Sequence, residues 1–298
     1  MAQDKAIKTY DVSTNVRDVT DMISVVANTE VPFYNSLGKT KATAKYHEAQ
    51  YISLTTGSSN SLIEGQDYTL SIGGVPSTTG NYTQIFGKVA SVSKSQMSVS
   101  MYGVDDLLAQ EVEWRMKEIG TDVEKALLQG TGNSGASGTA RELTGALSLI
   151  TTNVETGTGT GSETLTETMF NDELQRIWTA GGRPKNVLAN AFQKRKISSF
   201  SGSSNTKQVM FEKKELVNAV DTYVSDFGVM EIGLDAFMPT DKVLIYDKSL
   251  WKVAMLRPIV VEDYPSQGSY VAKTIEGELT LECNNEKGSG YIKDLATS

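Results

Sequence analysis

The stretch from Val104 to Gln129, VDDLLAQEVEWRMKEIGTDVEKALLQ, constrains the fold more than any other. Apolar residues fall at Val104, Leu108, Val112, Met116, Ile119, Val123 and Leu127, steps of three and four that lay one stripe along an α-helix. Asp105 and Asp106 stand in the first turn, where the helix dipole favours acids. Gly130 and a Gly/Ser/Thr run then supply the stop. Such a helix is about 40 Å long, whereas a mean globular helix has only about 11–12 residues. It reads as a scaffold across which other elements are strung, with its charged face turned to water.

Composition narrows what can be built on that scaffold. A chain of 298 residues holds one large or two moderate domains, and 39% hydrophobic with 21% charged residues is ordinary globular material. No run of about 18 apolar residues occurs, and the start MAQDKAIKTYDV has no apolar signal core, so a soluble, untargeted chain is expected. A formal net charge of −8 argues against a general nucleic-acid-binding module. The one cysteine, Cys283, excludes an internal disulfide and reads as a small buried residue in a strand. The one histidine, His47, is the only base available to a nucleophile and reads as surface or structural. No catalytic, cofactor-binding or metal-binding residues are expected.

In chain order, residues 1–38 read as an arm: a short amphipathic helix over Val16 to Ala27, then Val31 pushed extended by Pro32, then apolar anchors at Phe33, Tyr34 and Leu37. With so little core of its own, it must lie on the body of the fold or on a neighbouring chain. Residues 39–92 read as a long hairpin with strands at Tyr46 to Leu54 and Tyr82 to Val92 around a Gly/Ser/Thr-rich tip. Its apolar residues are too few to close a domain. Met97, Val99 and Met101 alternate into the long helix. Thr131 to Thr139, including GTGNSG, follows a helix and lacks a Gly-Lys-Ser/Thr ending, so it reads as a linker instead of a phosphate loop.

An α/β region follows. A helix over Glu167 to Ala180 carries Phe170, Leu174, Ile177 and Trp178, and Val187 to Ala189 is a buried strand. Phe192 to Phe200 is a short basic helix whose Lys194, Arg195 and Lys196 read as a solvated face. Ser201 to Asn205 is a loop, Val217 to Val224 and Val229 to Leu234 pair as strands, and Val243 to Tyr246 is a buried strand. The last 50 residues return to β structure at Leu250 to Leu256, Pro258 to Glu262 and Tyr270 to Leu281, with a polar tail from Cys283. The hairpin base and the long helix are their expected partners.

This order resembles the tailed-bacteriophage major capsid proteins of the Hong Kong 97 type fold, most closely the SU-ten branch. The likeness rests on Thr29-Glu30-Val31-Pro32-Phe33 with Gly38, on His47-Glu48, on Glu64-Gly65-Gln66-Asp67 and on Tyr102-Gly103. In the later half it rests on YVSDFG (Tyr223 to Gly228), Met238-Pro239-Thr240-Asp241, Ile245-Tyr246-Asp247, Leu256-Arg257-Pro258 and Glu278 to Glu282. Two positions depart from the pattern: Ala49 replaces an aromatic, and Asp235-Ala236 replaces an Asn-Arg pair.

The resemblance implies an α+β fold divided into an N-terminal arm (1–38), an extended loop (39–92), a peripheral domain (93–139 and 246–298) with a spine helix at 104–129, and an axial domain (140–245). It implies a structural protein whose copies form pentamers and hexamers. These close an icosahedral head around double-stranded DNA, assembled in the bacterial host cytoplasm, with portal and decoration or scaffolding proteins as further partners and no membrane. An encapsulin-like shell around cargo protein is the alternative on the same fold. The implied inter-subunit residues are Pro32, Phe33, Glu64, Asp67, Tyr68, Glu113, Arg115, Lys117 and Glu118, the last four running near a neighbour's extended loop. Some relatives weld their shell through a lysine on that loop; lysine is absent from Tyr46 to Gly87 here, which implies a noncovalent shell. No large scaffolding segment is expected before the arm.

Overall fold

The computed structural model describes residues 29–52, 57, 61, 63–65, 67, 74–99, 104, 106–157, 163–200, 222–265 and 268–297. In chain order these form helix α1 (Pro32–Ser36), strands β1 (Gly38–Lys41), β2 (Tyr46–Tyr51), β3 (Ser77–Tyr82) and β4 (Gln84–Ser93), and helices α2 (Lys94–Met97) and α3 (Leu107–Gln129). Then come β5 (Thr131–Asn133), β6 (Glu142–Thr144), α4 (Ala146–Leu149), β7 (Val154–Thr156), α5 (Glu167–Thr179), β8 (Asn186–Ala189) and α6 (Ala191–Ser198). The remaining strands are β9 (Thr222–Ser225), β10 (Gly228–Leu234), β11 (Val243–Tyr246), β12 (Trp251–Tyr264), β13 (Tyr270–Cys283) and β14 (Gly290–Lys293).

The long helix α3 begins at an acidic cap. Asp106 Oδ1 accepts from the N–H groups of Leu108 (2.9 Å) and Ala109 (3.1 Å), which no backbone carbonyl can reach. At the other end Gly130 is required by space: a side chain there would strike the carbonyls of Leu143 and Ala126. The Gly130 carbonyl accepts instead from Gly145 N–H at 2.9 Å, turning the chain into β6 and α4. Leu108, Ile119, Val123, Leu127 and Leu128 are buried, as is one acid, Glu124. Met116, expected in the apolar stripe, is 44% exposed and takes no part in the core.

Two sheets divide the strands. One has the order β1-β12-β13-β4, with β1 parallel to β12 and the other pairs antiparallel. Its core with α3 includes Phe86, Val253, Ile275, Leu279 and Leu281, joined by Phe33, Ile119 and Trp251. The other has the order β7-β14-β11-β8-β10-β9 and packs Val187, Met230, Ile232, Val243, Ile245 and Ile292 against Phe170, Leu174 and Ile177 of α5. Each fully buried aliphatic or aromatic side chain contributes on the order of 1.5–3 kcal/mol, so the two clusters hold most of the stability.

Several sequence expectations are corrected. The second hairpin strand is β3, not Tyr82 to Val92; β2 and β3 pair from Tyr46↔Tyr82 to Tyr51↔Ser77, and β4 leaves the hairpin to pair with β13. Met97, expected to alternate into the long helix with Val99 and Met101, is instead the last residue of the short helix α2. The expected linker contains β5, which pairs with β6. Trp178 is exposed although the rest of its helix face is buried. The tail after Cys283 carries β14, which enters the six-stranded sheet between β7 and β11. The last 50 residues therefore supply strands to both sheets, and β1 and β4, from the stretch expected as an extended loop, belong to the four-stranded one. Cys283 is buried, which pushes its thiol up to about 12. The helix over Val16 to Ala27, the loop Ser201 to Asn205, Tyr102-Gly103, Asp105, Tyr68 and most of the hairpin tip lie outside the described residues.

Candidate assembly surfaces

The β2–β3 hairpin has no core of its own, and polar groups fix its root. Asn81 is buried in β3: its Nδ2 donates to the carbonyls of Thr144 (2.8 Å) and Leu281 (3.0 Å), and its Oδ1 accepts from Thr144 N–H (2.8 Å). Beside it Thr83 Oγ1 donates to Glu278 Oε1 at 2.6 Å, and Arg141 donates to both Glu278 and the Thr83 carbonyl. Arg257 reaches the other Glu278 oxygen at 3.3 Å. His47 Nε2 lies 2.8 Å from Glu282, which Lys252 also approaches at 3.5 Å, so the histidine has a structural partner. Beyond this root the hairpin presents Ile52, Ile63 and Val75 to solvent, Ile63 at 75% exposure.

Outside the core α3 carries two groups of paired charges. Glu111 and Glu118 flank Arg115 at 2.9 Å each, Glu113 pairs with Lys117 at 2.6 Å, and Lys88 from β4 reaches Glu118 (3.1 Å) and Asp122 (2.8 Å). The i,i+3 and i,i+4 spacings bring Glu111, Arg115, Glu118 and Asp122 together on one side of the helix, while Glu113 and Lys117 pair on the opposite side. The Arg115 and Lys88 cations hold the Glu118 carboxyl below its ordinary range.

At the entry to the fold, Glu124 replaces a missing helix cap. The residue before α1 is Val31, whose side chain cannot accept a hydrogen bond. Both Glu124 oxygens do so instead, from Phe33 N–H (2.6 Å) and Tyr34 N–H (2.8 Å). Phe33 then stacks edge-on against Tyr246 with ring centroids 5.3 Å apart, and Tyr246 and Ser36 share a hydrogen bond of 2.8 Å.

These arrangements sort the expected interface residues. Pro32 opens α1 and is half-buried; Phe33, at 0% exposure, is spent inside its own chain and is withdrawn from the interface set. Glu64 and Asp67 are exposed near a turn at Gly65, and Tyr68 is outside the described residues. Glu113 and Lys117 are exposed; Arg115 and Glu118 are half-buried and already paired within the chain. The sequence reading missed Glu124, Asn81 and Arg141. Glu124 alone left a trace: it sits four residues before Leu128 and next to Val123, inside the apolar face. Among the described residues no cluster of His, Cys, Asp and Glu could hold a metal, and no helix is long and apolar enough to cross a membrane.

A long helix under a four-stranded sheet, a second mixed sheet and a coreless hairpin on a rigid root define a Hong Kong 97 type capsid subunit. Solved shells share this fold. The Cyanophage A-1(L) capsid asymmetric unit aligns with a TM-score of 0.68 at 10% identity, over 98% of this chain and 99% of that one. The holo-SrpI encapsulin complex from Synechococcus elongatus PCC 7942 aligns with a TM-score of 0.59 at 10% identity, over 95% and 97%.

The family described as SU10 major capsid protein matches residues 6–296, and the chain belongs to it. A relative described as the major capsid protein of Escherichia phage Phieco32 is 23% identical over 345 residues, covering 98% of this chain and 97% of that protein. The chain is accordingly a phage major capsid protein, part of a virion shell of many copies. Membership of that family implies a structural role rather than catalysis.

Proposed function

We propose that copies of this chain assemble as pentamers and hexamers into an icosahedral head around double-stranded DNA in the host cytoplasm, with a portal at one vertex. The β2–β3 hairpin carries this reading. A two-stranded hairpin is marginal by itself, and exposed apolar residues at its tip call for a surface to cover them. A neighbouring subunit supplies one. In this scheme the four-stranded sheet with α3 is the peripheral domain, the six-stranded sheet with α5 is the axial domain that surrounds each vertex, and the segment before α1 is an arm laid on a neighbour. The acidic balance of the chain keeps an inner wall from gripping packed DNA.

Electron microscopy of the expressed chain under assembly conditions tests the scheme. Shells with five- and sixfold capsomers are expected, and mature particles should contain DNA and run as one monomer band on a denaturing gel. A monodisperse small species overturns the assembly reading, particles packed with one cargo protein overturn the DNA reading, and a ladder of linked chains overturns the noncovalent one.

The outer helix face needs a test that spares the fold. Reversing Arg115 or Glu118 also breaks pairs within the chain, so it confounds folding with assembly. The exchange Glu113→Lys with Lys117→Glu keeps one i,i+4 pair and reverses only what a neighbour meets. An exposed pair is worth about 0–1 kcal/mol, so thermal unfolding of the subunit should barely move while shell yield by sedimentation drops severalfold. Normal yield would mean the side carrying Glu113 and Lys117 is solvated surface.

A further inference from the structure

Glu124 is a carboxyl fully buried where three parts of the molecule meet. It projects from α3, accepts the Phe33 and Tyr34 N–H groups of α1, and faces Asp235, which follows β10 in the six-stranded sheet. Asp235 is also buried; its Oδ1 accepts from Phe237 N–H at 2.8 Å, and its Oδ2 meets no hydrogen-bond donor. The other titratable groups around them are acidic as well. Tyr246 of β11 has its hydroxyl pushed up to about 12, first by burial and further by Glu124, Asp235 and Glu231 of β10. What α1 offers is backbone N–H and the Ser36 hydroxyl, which donates to the Phe33 carbonyl at 2.8 Å and so leaves Tyr246 to donate to Ser36. Among the described residues no cation pairs with either carboxyl.

Two carboxyls that can only accept hydrogen bonds cannot face each other, dry and both charged, without cost. One proton resolves the conflict. The two carboxyls share that proton: the Phe33 and Tyr34 amides favour the charged form of Glu124, the Phe237 amide that of Asp235, and whichever carboxyl takes the proton turns from an acceptor into a donor.

We propose that Glu124 and Asp235 form a proton-dependent latch that clamps the arm helix α1 onto the long helix and the six-stranded sheet, closed while the pair holds one proton and loosened when it is lost. Burial, the largest cause, pushes the Glu124 carboxyl up to about 7 and Asp235 in the same direction; the Phe33 and Tyr34 amides oppose it at Glu124, where Asp235 adds to it, and the Phe237 amide and Glu124 oppose it at Asp235. An acid whose folded pKa is raised stabilises the fold below its unfolded pKa and loses that contribution as pH rises through the folded value. The latch is therefore tight in mild acid and slack in mild alkali. It lies within one chain, so it stands or falls independently of shell assembly.

The test is amide hydrogen exchange of the intact, unassembled chain at Phe33 and Tyr34, corrected for intrinsic exchange, between about pH 5 and pH 8. Protection in the wild-type chain should fall by up to about tenfold for each pH unit between the ordinary carboxyl range and the transition near 7, and level off above it, while Asp235→Asn, which removes the shared proton, should hold it nearly constant. An equal fall in both chains, or a flat wild-type profile, overturns the latch. Should Asp235→Asn not fold, a carboxyl carbon-13 titration of the wild-type chain decides: Glu124 or Asp235 titrating near neutrality supports the latch, and both titrating below about pH 5 overturns it.

Discussion

Replacing Ile119 with Asp should leave no folded chain, whereas the same change at Met116 should leave one that unfolds close to the wild-type temperature. Ile119 is 1% exposed in the cluster that joins α3 to the four-stranded sheet, with Phe33, Phe86 and Val123 in the same core. Loss of a buried Ile costs about 2–5 kcal/mol through transfer and cavity terms, and burying an unpaired carboxylate costs several kcal/mol more. That sum consumes most of the roughly 5–15 kcal/mol that typical domains have. Met116 keeps 44% of its surface in water, and changes at such sites usually stay within about 0.5 kcal/mol. Circular dichroism and thermal unfolding of the two variants check this. A cooperative transition near the wild-type midpoint for Ile119→Asp would show that this helix is not the floor of the core.

The contrast between those two residues shows how far a sequence pattern reaches. Steps of three and four identify a helix, because local geometry alone sets that period. They do not say which parts of the helix other elements cover. From Ile119 onward α3 is covered on two sides, by the sheet and by α1, so its buried face widens to take in Glu124 and Leu128; Met116 stands outside both. Elements whose signal is local were legible. Helix α5 ends one residue short of the expected boundary, and β9 and β10 pair around Ser225 to Gly228 as expected.

Strand β3 was not legible, because STTGNY has neither alternation nor apolar content. It is a strand because β2 pairs with it, because Tyr46 and Tyr82 bring their rings to 4.7 Å, and because Asn81 is held by Thr144 and Leu281. Gly80 is part of the same contact, since a side chain there would collide with the Tyr46 ring. Acids such as Glu124, Asp235 and Glu278 are surface residues by default. Their burial follows from partners 90 or more residues away in the chain, as with Glu124 and Tyr34. The candidate surfaces were thus legible as faces and loops, while the contacts that fix their roots were not.

One of those contacts should be nearly as sensitive as the core. Arg141→Leu should destabilise the subunit by about 3 kcal/mol, the lower end of the cost of breaking a buried ion pair. Glu278 is buried in β13, where Arg141 and Thr83 share one of its oxygens and Arg257 reaches the other at 3.3 Å. Removing Arg141 leaves that carboxylate desolvated with a hydroxyl and one half-exposed guanidinium, and leaves the Thr83 carbonyl without its arginine donor. Thr83 is the residue between β3 and β4, so the damage falls where the hairpin joins the sheet. Arg141→Leu with Glu278→Leu should be less destabilising than Arg141→Leu alone, because no buried charge remains. Denaturant unfolding of the single and double variants checks the order. If the two single losses simply add in the double variant, Glu278 is held by something other than Arg141, and the hairpin root has a different keystone.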